Sequence, residues 1–131
     1  MKLNELLDGV ALAARHVQDV ECSGICCDTR DMTPGCLFVA LPGYKTDGHR
    51  YIRQALERGA AAVLCQRPPE GEGPWLVTED TRAALAIASA NWFGHPAREL
   101  TLLAVTGTNG KTTTTYLLKA MLEGCLHTKV G

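Results

Sequence analysis

The sequence predicts an α/β fold in which helices pack on a mainly parallel sheet. Short apolar runs alternate with segments of helical spacing, and turns rich in Pro and Gly separate them. The 131 residues are 46% hydrophobic and 21% charged, and a chain of this length can bury a core of its own. The predicted architecture is a small N-terminal sheet domain with helices packed on it, followed by the first strand–turn–helix unit of an incomplete central domain.

Two apolar runs predict the centre of the sheet. Residues 36–41 (CLFVAL) and 60–65 (AAAVLC) are almost entirely apolar, which is typical of strands buried on both faces. A helix over residues 49–58 separates them, and its expected apolar face consists of Tyr51, Ile52, Ala55 and Leu56. The other elements predicted in this half are a helix over 2–7, strands over 23–28 and 75–78, and a helix from Asp80 or Thr81 to Phe93.

A second domain is predicted to begin near residue 96. Residues 94–99 have the composition of a linker, and a strand over 100–105 and a helix over 111–122 follow it. The predicted domains are therefore residues 1–95 and 96–131. One strand and one helix cannot cover both faces of a sheet, so we expect the second domain to lack most of its body and the chain to be truncated.

Composition excludes several classes of protein. The net charge is −1 and the basic residues are scattered, which argues against a nucleic-acid partner. Asn4, Glu5 and Asp8 interrupt the N-terminal segment, and no apolar run reaches the roughly 18 residues of a membrane span, so a cytoplasmic protein without a membrane partner is expected. Cys26 and Cys27 would point to opposite sides of a strand, which favours reduced thiols over a zinc site.

The stretch LLAVTGTNGKTTTT predicts a phosphate-binding loop. Gly107 and Gly110 allow close backbone approach, and the N–H groups of the following helix N-terminus attract anions. Lys111 is suited to reach the β- and γ-phosphates, and the Thr112 hydroxyl is placed for Mg²⁺. The fold prediction for this half is thus the start of a P-loop ATPase-like central domain.

That loop departs from the strict pattern GxxxxGK[ST] at one position. Val105 stands where the first glycine is required, which leaves GxxGKT from Gly107 to Thr112. A glycine turn with no ligand therefore remains an alternative. Thr113 has a hydroxyl that can donate to a phosphate, whereas Thr114 and Thr115 are expected to be ordinary helix residues.

Two segments of the sequence resemble the Mur ligases, a family of ATP-dependent amide-forming ligases of cell-wall synthesis. TGTNGKTTTT after an apolar strand looks like the family's ATP-binding loop, which folylpolyglutamate synthases and cyanophycin synthetases share. Residues 27–66 are similar to the UDP-sugar-binding domain of the member that adds the third residue of the peptidoglycan peptide. The matching motifs are Asp28-Thr29-Arg30, Pro34-Gly35 with LFVA, Asp47-Gly48, Tyr51-Ile52 and GAAA from Gly59. Tyr44 replaces the usual His, and Thr29 replaces the usual Ser.

The resemblance implies two binding sites and a reaction. The uridine diphosphate part of UDP-MurNAc-L-Ala-D-Glu would contact Cys27, Thr29, Tyr44, Lys45 and Thr46. The ATP phosphates would lie on Gly107, Thr108, Asn109, Gly110, Lys111, Thr112 and Thr113, with Lys111 and Thr112 as the catalytic residues and Thr112 as the Mg²⁺ ligand. ATP would phosphorylate the D-Glu carboxylate, and the amine of a diamino acid, whose site lies outside this chain, would attack the acyl phosphate. A monomer without ligase activity of its own is expected.

Some alternatives and structural roles accompany that interpretation. The related ligase that adds D-Ala-D-Ala shares the first motifs, and a non-catalytic nucleotide-binding module is the alternative from a different class. Arg30 is expected to pair with a nearby carboxylate, and Asp47 is expected to cap the next helix. His49, His95 and His127 have no partner at catalytic spacing and are expected at the surface.

Overall fold

The structure is a computed structural model that describes residues 1–43, 47–127 and 129–131. The chain forms two compact units, Met1–Pro96 and Ala97–Gly131. The strands are β1 (Ala14–Arg15), β2 (Ile25–Cys26), β3 (Leu37–Val39), β4 (Ala62–Cys65) and β5 (Trp75–Val77). The helices are α1 (Leu3–Leu6), α2 (Ile52–Glu57), α3 (Thr81–Trp92) and α4 (Lys111–Leu126), with 3-10 turns at Gly48–Tyr51 and Pro96–Arg98.

The first unit is built on one five-stranded sheet with the order β1-β5-β4-β3-β2. Strands β2, β3, β4 and β5 run parallel to one another, and β1 runs antiparallel to β5. The mainly parallel sheet predicted from the apolar runs is therefore confirmed. The register at its centre places Phe38 beside Val63 and Leu64 beside Leu76.

Helices cover both faces of this sheet, because successive side chains of a strand point to opposite faces. Leu37 and Val39 of β3 pack on one face with α1 and α3, and Phe38 packs on the other face with α2. Strand β4 alternates in the same way, and all of its residues are buried. The first cluster consists of Leu3, Leu6, Leu7, Cys22, Leu37, Val39, Ala62, Leu64, Leu76, Ala84 and Ala88. The second consists of Phe38, Ala40, Ile52, Ala55, Ala60, Val63, Cys65 and Val77.

Helix α3 begins where its capping residue predicts. The Asp80 carboxylate accepts hydrogen bonds from the backbone N–H groups of Arg82 and Ala83, which satisfies two donors of the first turn. Ala84 and Ala88 lie one turn apart and are buried against the sheet, so these small side chains let the helix approach closely. The prediction of a helix over this stretch is confirmed.

Two expectations for the first unit were wrong. Strand β1 lies in a stretch to which no element was assigned, since its two residues carry no apolar alternation. Tyr51 was placed on the apolar face of its helix, but it is 42% exposed, whereas Ile52 and Ala55 are buried. The cause is the 3-10 turn Gly48–Tyr51 that precedes α2, because its three-residue turn displaces Tyr51 from the face that the 3.6-residue spacing predicts.

The second unit contains α4, and it differs from the prediction in two places, before this helix and at the end of the helix. Residues 100–105 form no strand ladder within the described part of the chain, and Leu100, Leu102 and Leu103 are each more than 60% exposed. An apolar run becomes a strand only when a neighbouring strand accepts its hydrogen bonds, and none is described in this unit. Helix α4 continues past the predicted end at 122 and stops at His127, whose φ is 49°. Among the described helices, none is long and apolar enough to cross a membrane.

Position 48 requires glycine because the Leu41 backbone lies close to it, and this contact gives a test of the fold. A Cβ at this position would lie 2.7 Å from the backbone N and O of Leu41, and the Gly48 N–H donates to the Leu41 carbonyl at 2.8 Å. We expect Gly48→Ala to lower the free energy of unfolding by about 1–3 kcal/mol, as overpacking does. Urea unfolding measures the change, with Gly24→Ala as the control because its Cβ would meet nothing within 4 Å. Equal stability of the two variants would contradict the assigned contact.

Candidate functional site

A cleft of about 660 Å³ opens at the carboxyl ends of β2 and β3. The segment after β2 (residues 27–30) forms one wall, and the segment after β3 (residues 41–43) forms another. Gly48, Tyr51, Gln54 and Arg82 complete the lining. Since parallel strands end at the same edge of a sheet, loops that follow neighbouring strands meet there and form a binding crevice. The structure thus brings Cys27 and Thr29, two of the predicted substrate contacts, into one cleft.

Thr29 is anchored to α2 rather than extended into solvent. Its side chain is 6% exposed, and its hydroxyl donates to Gln54 Oε1 at 2.8 Å. Arg58 Nη1 donates a hydrogen bond to the Thr29 backbone carbonyl. Gln54 and Arg58 lie one helical turn apart, so α2 holds the turn after β2 by two contacts. The Thr29 hydroxyl oxygen keeps acceptor capacity for a ligand N–H.

An ion pair lies at the rim of the same wall. Arg30 Nη2 lies 2.6 Å from Asp28 Oδ2, and the Arg30 backbone N–H donates to Asp28 Oδ1 at 2.9 Å. Hydrogen bonds from the Arg30 side chain, and then from its backbone, lower the pKa of Asp28 to about 2. The expectation that Arg30 pairs with a carboxylate is confirmed. Its guanidinium is largely committed to Asp28, so Arg30 contributes little free positive charge to the cleft.

The rest of the lining includes Tyr51, Gln54 and Arg82, which sequence patterns did not assign to a binding site. Tyr51 presents an exposed aromatic ring, and Arg82 at the start of α3 donates to the Pro42 carbonyl at 2.6 Å. Gln54 lies three residues after Tyr51, and this spacing places both on one side of the helical segment. The three-residue spacing of Tyr51 and Gln54 is visible in the sequence, but it places both residues at the cleft only once the 3-10 turn is known. An aromatic ring, an amide and a guanidinium suit a flat polar ligand with an anionic group.

The expected contacts Tyr44, Lys45 and Thr46 lie outside the described residues. Asp47, which follows them, accepts from the His49 backbone N–H at 3.0 Å and caps the 3-10 turn, as expected. Its Oδ1 also lies 2.6 Å from His49 Nδ1, and its Oδ2 accepts from Arg67 at 2.8 Å. The hydrogen bonds from the His49 backbone and then from its ring lower the pKa of Asp47, and the positive charge of Arg67 adds to this effect.

His49 is not the surface residue that was expected. Its side chain is 11% exposed, and its Nε2 accepts from the Gln66 backbone N–H at 2.9 Å. Because Nε2 accepts, the ring proton lies on Nδ1, which donates to Asp47. Sequence spacing missed this role because Gln66 lies 17 residues away and meets His49 only at the sheet edge.

The predicted phosphate loop lies at the start of α4. Gly107 has φ 143° and Gly110 has φ 75°, conformations that favour glycine. Gly110 is the N-cap residue of α4 and supplies no side-chain cap, so the first-turn N–H groups are not capped by it. The Lys111 ammonium donates to the Gly107 carbonyl at 2.6 Å and lies 3.5 Å from the Thr108 carbonyl. Lys111 therefore bridges the backbone of the loop.

The loop residues fit a nucleotide phosphate with a bound Mg²⁺. Residues 107–113, which include Thr108, Asn109 and Thr113, are all exposed, and the helix dipole adds positive potential at this end. Thr112 supplies an exposed hydroxyl oxygen, the hard type of ligand that Mg²⁺ takes. In the described ranges, no three His, Cys, Asp or Glu side chains are grouped to hold a metal ion. Thr112 was the residue expected to ligate Mg²⁺, and its hydroxyl has the chemistry for that role.

The Asp28–Arg30 pair gives a pH test of the cleft rim. With a pKa of about 2, the Asp28 carboxylate stays ionised down to strongly acidic pH, and the favourable pairing is lost as pH falls through that value. We expect Arg30→Gln to return the Asp28 pKa toward 3.8, its ordinary value, as measured by NMR titration of the side-chain carboxyl carbon. Arg53→Gln removes an exposed guanidinium that pairs with Glu57 instead, and it should leave the Asp28 titration unchanged.

Comparison with known proteins assigns the chain to one family. The profile of the Mur ligase family, catalytic domain, matches residues 21–102. The UDP-N-acetylmuramoyl-L-alanyl-D-glutamate–2,6-diaminopimelate ligase of Syntrophomonas wolfei is 45% identical over 100% of this chain, which covers 29% of that protein. The chain spans less than a third of the curated relatives that it matches.

Solved structures share the fold as well as the sequence. The UDP-N-acetylmuramoylalanyl-D-glutamyl-2,6-diaminopimelate–D-alanyl-D-alanyl ligase of Acinetobacter baumannii is 30% identical with a TM-score of 0.67, over 93% of this chain and 28% of that chain. The MurF ligase of Thermotoga maritima in complex with ADP is 29% identical with a TM-score of 0.59, over 77% of this chain and 23% of that chain. The profile match covers more than half of the chain, and the chain belongs to the Mur ligase family.

Proposed function

We propose that this chain is the substrate-docking and phosphate-binding part of an ATP-dependent ligase that adds the third amino acid to UDP-MurNAc-L-Ala-D-Glu. The observation that carries the proposal is the 45% identity, over the whole chain, to a ligase named for that acceptor and for 2,6-diaminopimelate. The protein would act in the cytoplasm, as a monomer, with ATP and Mg²⁺. The diamino acid would bind to a part of the enzyme outside these residues.

The cleft beside β2 and β3 is the proposed site for the UDP part of the acceptor. Cys27 and Thr29 line it, and the segment 44–46 directly follows the cleft residue Gly43. The exposed Tyr51 ring offers a stacking surface for a base, and Arg82 offers cationic donors for a diphosphate. The buried contacts of Thr29 with α2 fix one wall before the ligand arrives, which reduces the entropy lost on binding.

The loop 107–113 is the proposed site for the ATP phosphates. ATP supplies the phosphoryl group that converts the D-Glu carboxylate into an acyl phosphate, and the amine of the third amino acid then displaces phosphate to form the amide. Lys111 would hold the phosphate oxygens and stabilise the charge that develops on the transferred group. Thr112 would hold Mg²⁺ through its hydroxyl, and the first-turn N–H groups would orient the phosphates. The ADP complex of a relative supports a nucleotide in this family.

The D-alanyl-D-alanyl ligase is the second candidate. Its support is the solved structure from Acinetobacter baumannii, which has the same fold over 93% of this chain. Among solved structures the two ligases are similarly close, at 30% identity for the D-alanyl-D-alanyl ligase and 26% for a diaminopimelate ligase. The preference for the first candidate rests on the curated relatives, where a diaminopimelate ligase reaches 45% identity over the whole chain. Both would dock a UDP-MurNAc peptide in the cleft, and they differ in the peptide that the acceptor carries.

Titration with Mg-ATP tests the phosphate loop. We expect Lys111→Ala to weaken Mg-ATP binding to this chain about 10- to 100-fold, the loss expected for one charge-assisted contact. Isothermal titration calorimetry measures it, with Lys119→Ala as the matched control, because Lys119 lies on the same helix and pairs with Glu123. If both variants bind Mg-ATP as the unmodified chain does, Lys111 is not a phosphate ligand.

Titration with the UDP-sugar tests the cleft independently. We expect saturable binding of UDP-MurNAc-L-Ala-D-Glu, and we expect Cys27→Phe to abolish it by placing a ring in the cleft. Cys27 is an exposed lining residue, so the larger side chain should leave the core intact. Cys125→Phe is the control, since Cys125 is exposed on α4 in the other unit. Binding that survives Cys27→Phe would remove the UDP-sugar from this cleft.

A further inference from the structure

Two thiols meet at the boundary between β2 and β3. Cys26 Sγ and Cys36 Sγ lie 3.0 Å apart, although ten positions separate the residues in the chain. Cys26 ends β2, and Cys36 directly precedes β3, which is parallel to β2. Cys36 alternates with Leu37 and so shares the sheet face of Phe38, against which Cys26 also packs. Both side chains therefore point to the same side of the sheet.

We propose that Cys26 and Cys36 are a reversible disulfide pair, which forms when the chain meets a small oxidising disulfide. A disulfide needs sulfur atoms about 2.04 Å apart on residues of neighbouring backbone, so the two sulfurs must approach by roughly 1 Å. The register pairs Cys26 with Phe38, so Cys36 lies two positions along the chain from the direct partner of Cys26. Closing the bond therefore needs a shift of the backbone, and β2 can supply it because it is the edge strand of the sheet.

The two thiols differ in access, which defines the order of the steps. Cys26 is half-buried and Cys36 is buried, so an external disulfide meets Cys26 first. The Cys26 thiolate attacks one sulfur of oxidised glutathione, forms a mixed disulfide and releases one glutathione thiol. The Cys36 thiolate then attacks Cys26 Sγ and releases the second glutathione. In total, two protein thiols lose two electrons and two protons, and one molecule of oxidised glutathione becomes two of glutathione.

The surroundings keep the pair reduced until such an oxidant is present. Burial, together with the hydrogen bond to Cys36, raises the pKa of the Cys26 thiol above its ordinary value. The thiolate is the attacking species, so the first step is slow at neutral pH and needs a long incubation with millimolar oxidised glutathione. The bond would tie the edge strand to β3 at Cys26, the residue directly before the cleft residue Cys27.

Tryptic mapping tests the proposal on the whole chain. Cleavage after Arg15, Arg30 and Lys45 places Cys36 alone in peptide 31–45 and Cys26 in peptide 16–30. After incubation with oxidised glutathione and alkylation of the remaining thiols, we expect these two peptides to be cross-linked. We also expect the oxidised chain to melt several degrees higher, because the bond constrains the unfolded state, and dithiothreitol should reverse both changes.

Single variants identify which cysteine is cross-linked to Cys36, since peptide 16–30 also contains Cys22 and Cys27. Cys26→Ser should abolish the cross-link, whereas Cys22→Ser and Cys27→Ser should retain it. Absence of the cross-link in the unmodified chain would overturn the proposal. So would a cross-link that persists in Cys26→Ser, because Cys36 would then pair with another thiol.

Discussion

Burial of β3 and β4 on both faces is the constraint on which the first unit depends. Each residue of Leu37–Val39 and Ala62–Cys65 is buried, so neither face of these strands can be left to solvent. A helix must therefore cover each side, and α2 does so on the path from β3 to β4 while α1 and α3 cover the other face. The parallel order that results brings the ends of β2 and β3 to one edge. The cleft lies at that edge, between the segments that follow β2 and β3.

The contacts of α2 connect this core to the cleft wall. Ile52 and Ala55 bury one side of the helix against the sheet, and Gln54 and Arg58 hold Thr29 from another side. A helix that is fixed by its apolar side can position polar groups with little further loss of entropy. The wall after β2 is thus placed by packing, and its hydrogen bonds select one arrangement of the turn. The aromatic Tyr51 is carried into the cleft by the same helical segment.

Sequence patterns predicted the fold wherever one local signal determined the element. The apolar runs around Phe38 and Val63 gave the central strands, and the Asp80 cap gave the start of α3. Strand β1 escaped prediction because two residues on an edge carry no periodicity and take their conformation from β5. The prediction of a strand over residues 100–105 failed for the opposite reason. Their apolar run is strong, but a strand also needs a neighbouring strand as its hydrogen-bond partner.

The two candidate sites differed in predictability for a related physical reason. The predicted phosphate loop is contiguous in the sequence. Gly107 and Gly110 indicate the backbone freedom that such a loop requires, and Lys111 indicates its positive charge. The cleft is assembled from segments that tertiary packing alone brings together, with Arg82 reaching the Pro42 carbonyl across 40 positions. Resemblance to a family singled out Cys27 and Thr29, which the structure places in this cleft. Arg82 had no local signal, and the spacing of Gln54 from Tyr51 was informative only with knowledge of the 3-10 turn. A contiguous loop depends on its own backbone, whereas an assembled cleft depends on the whole core.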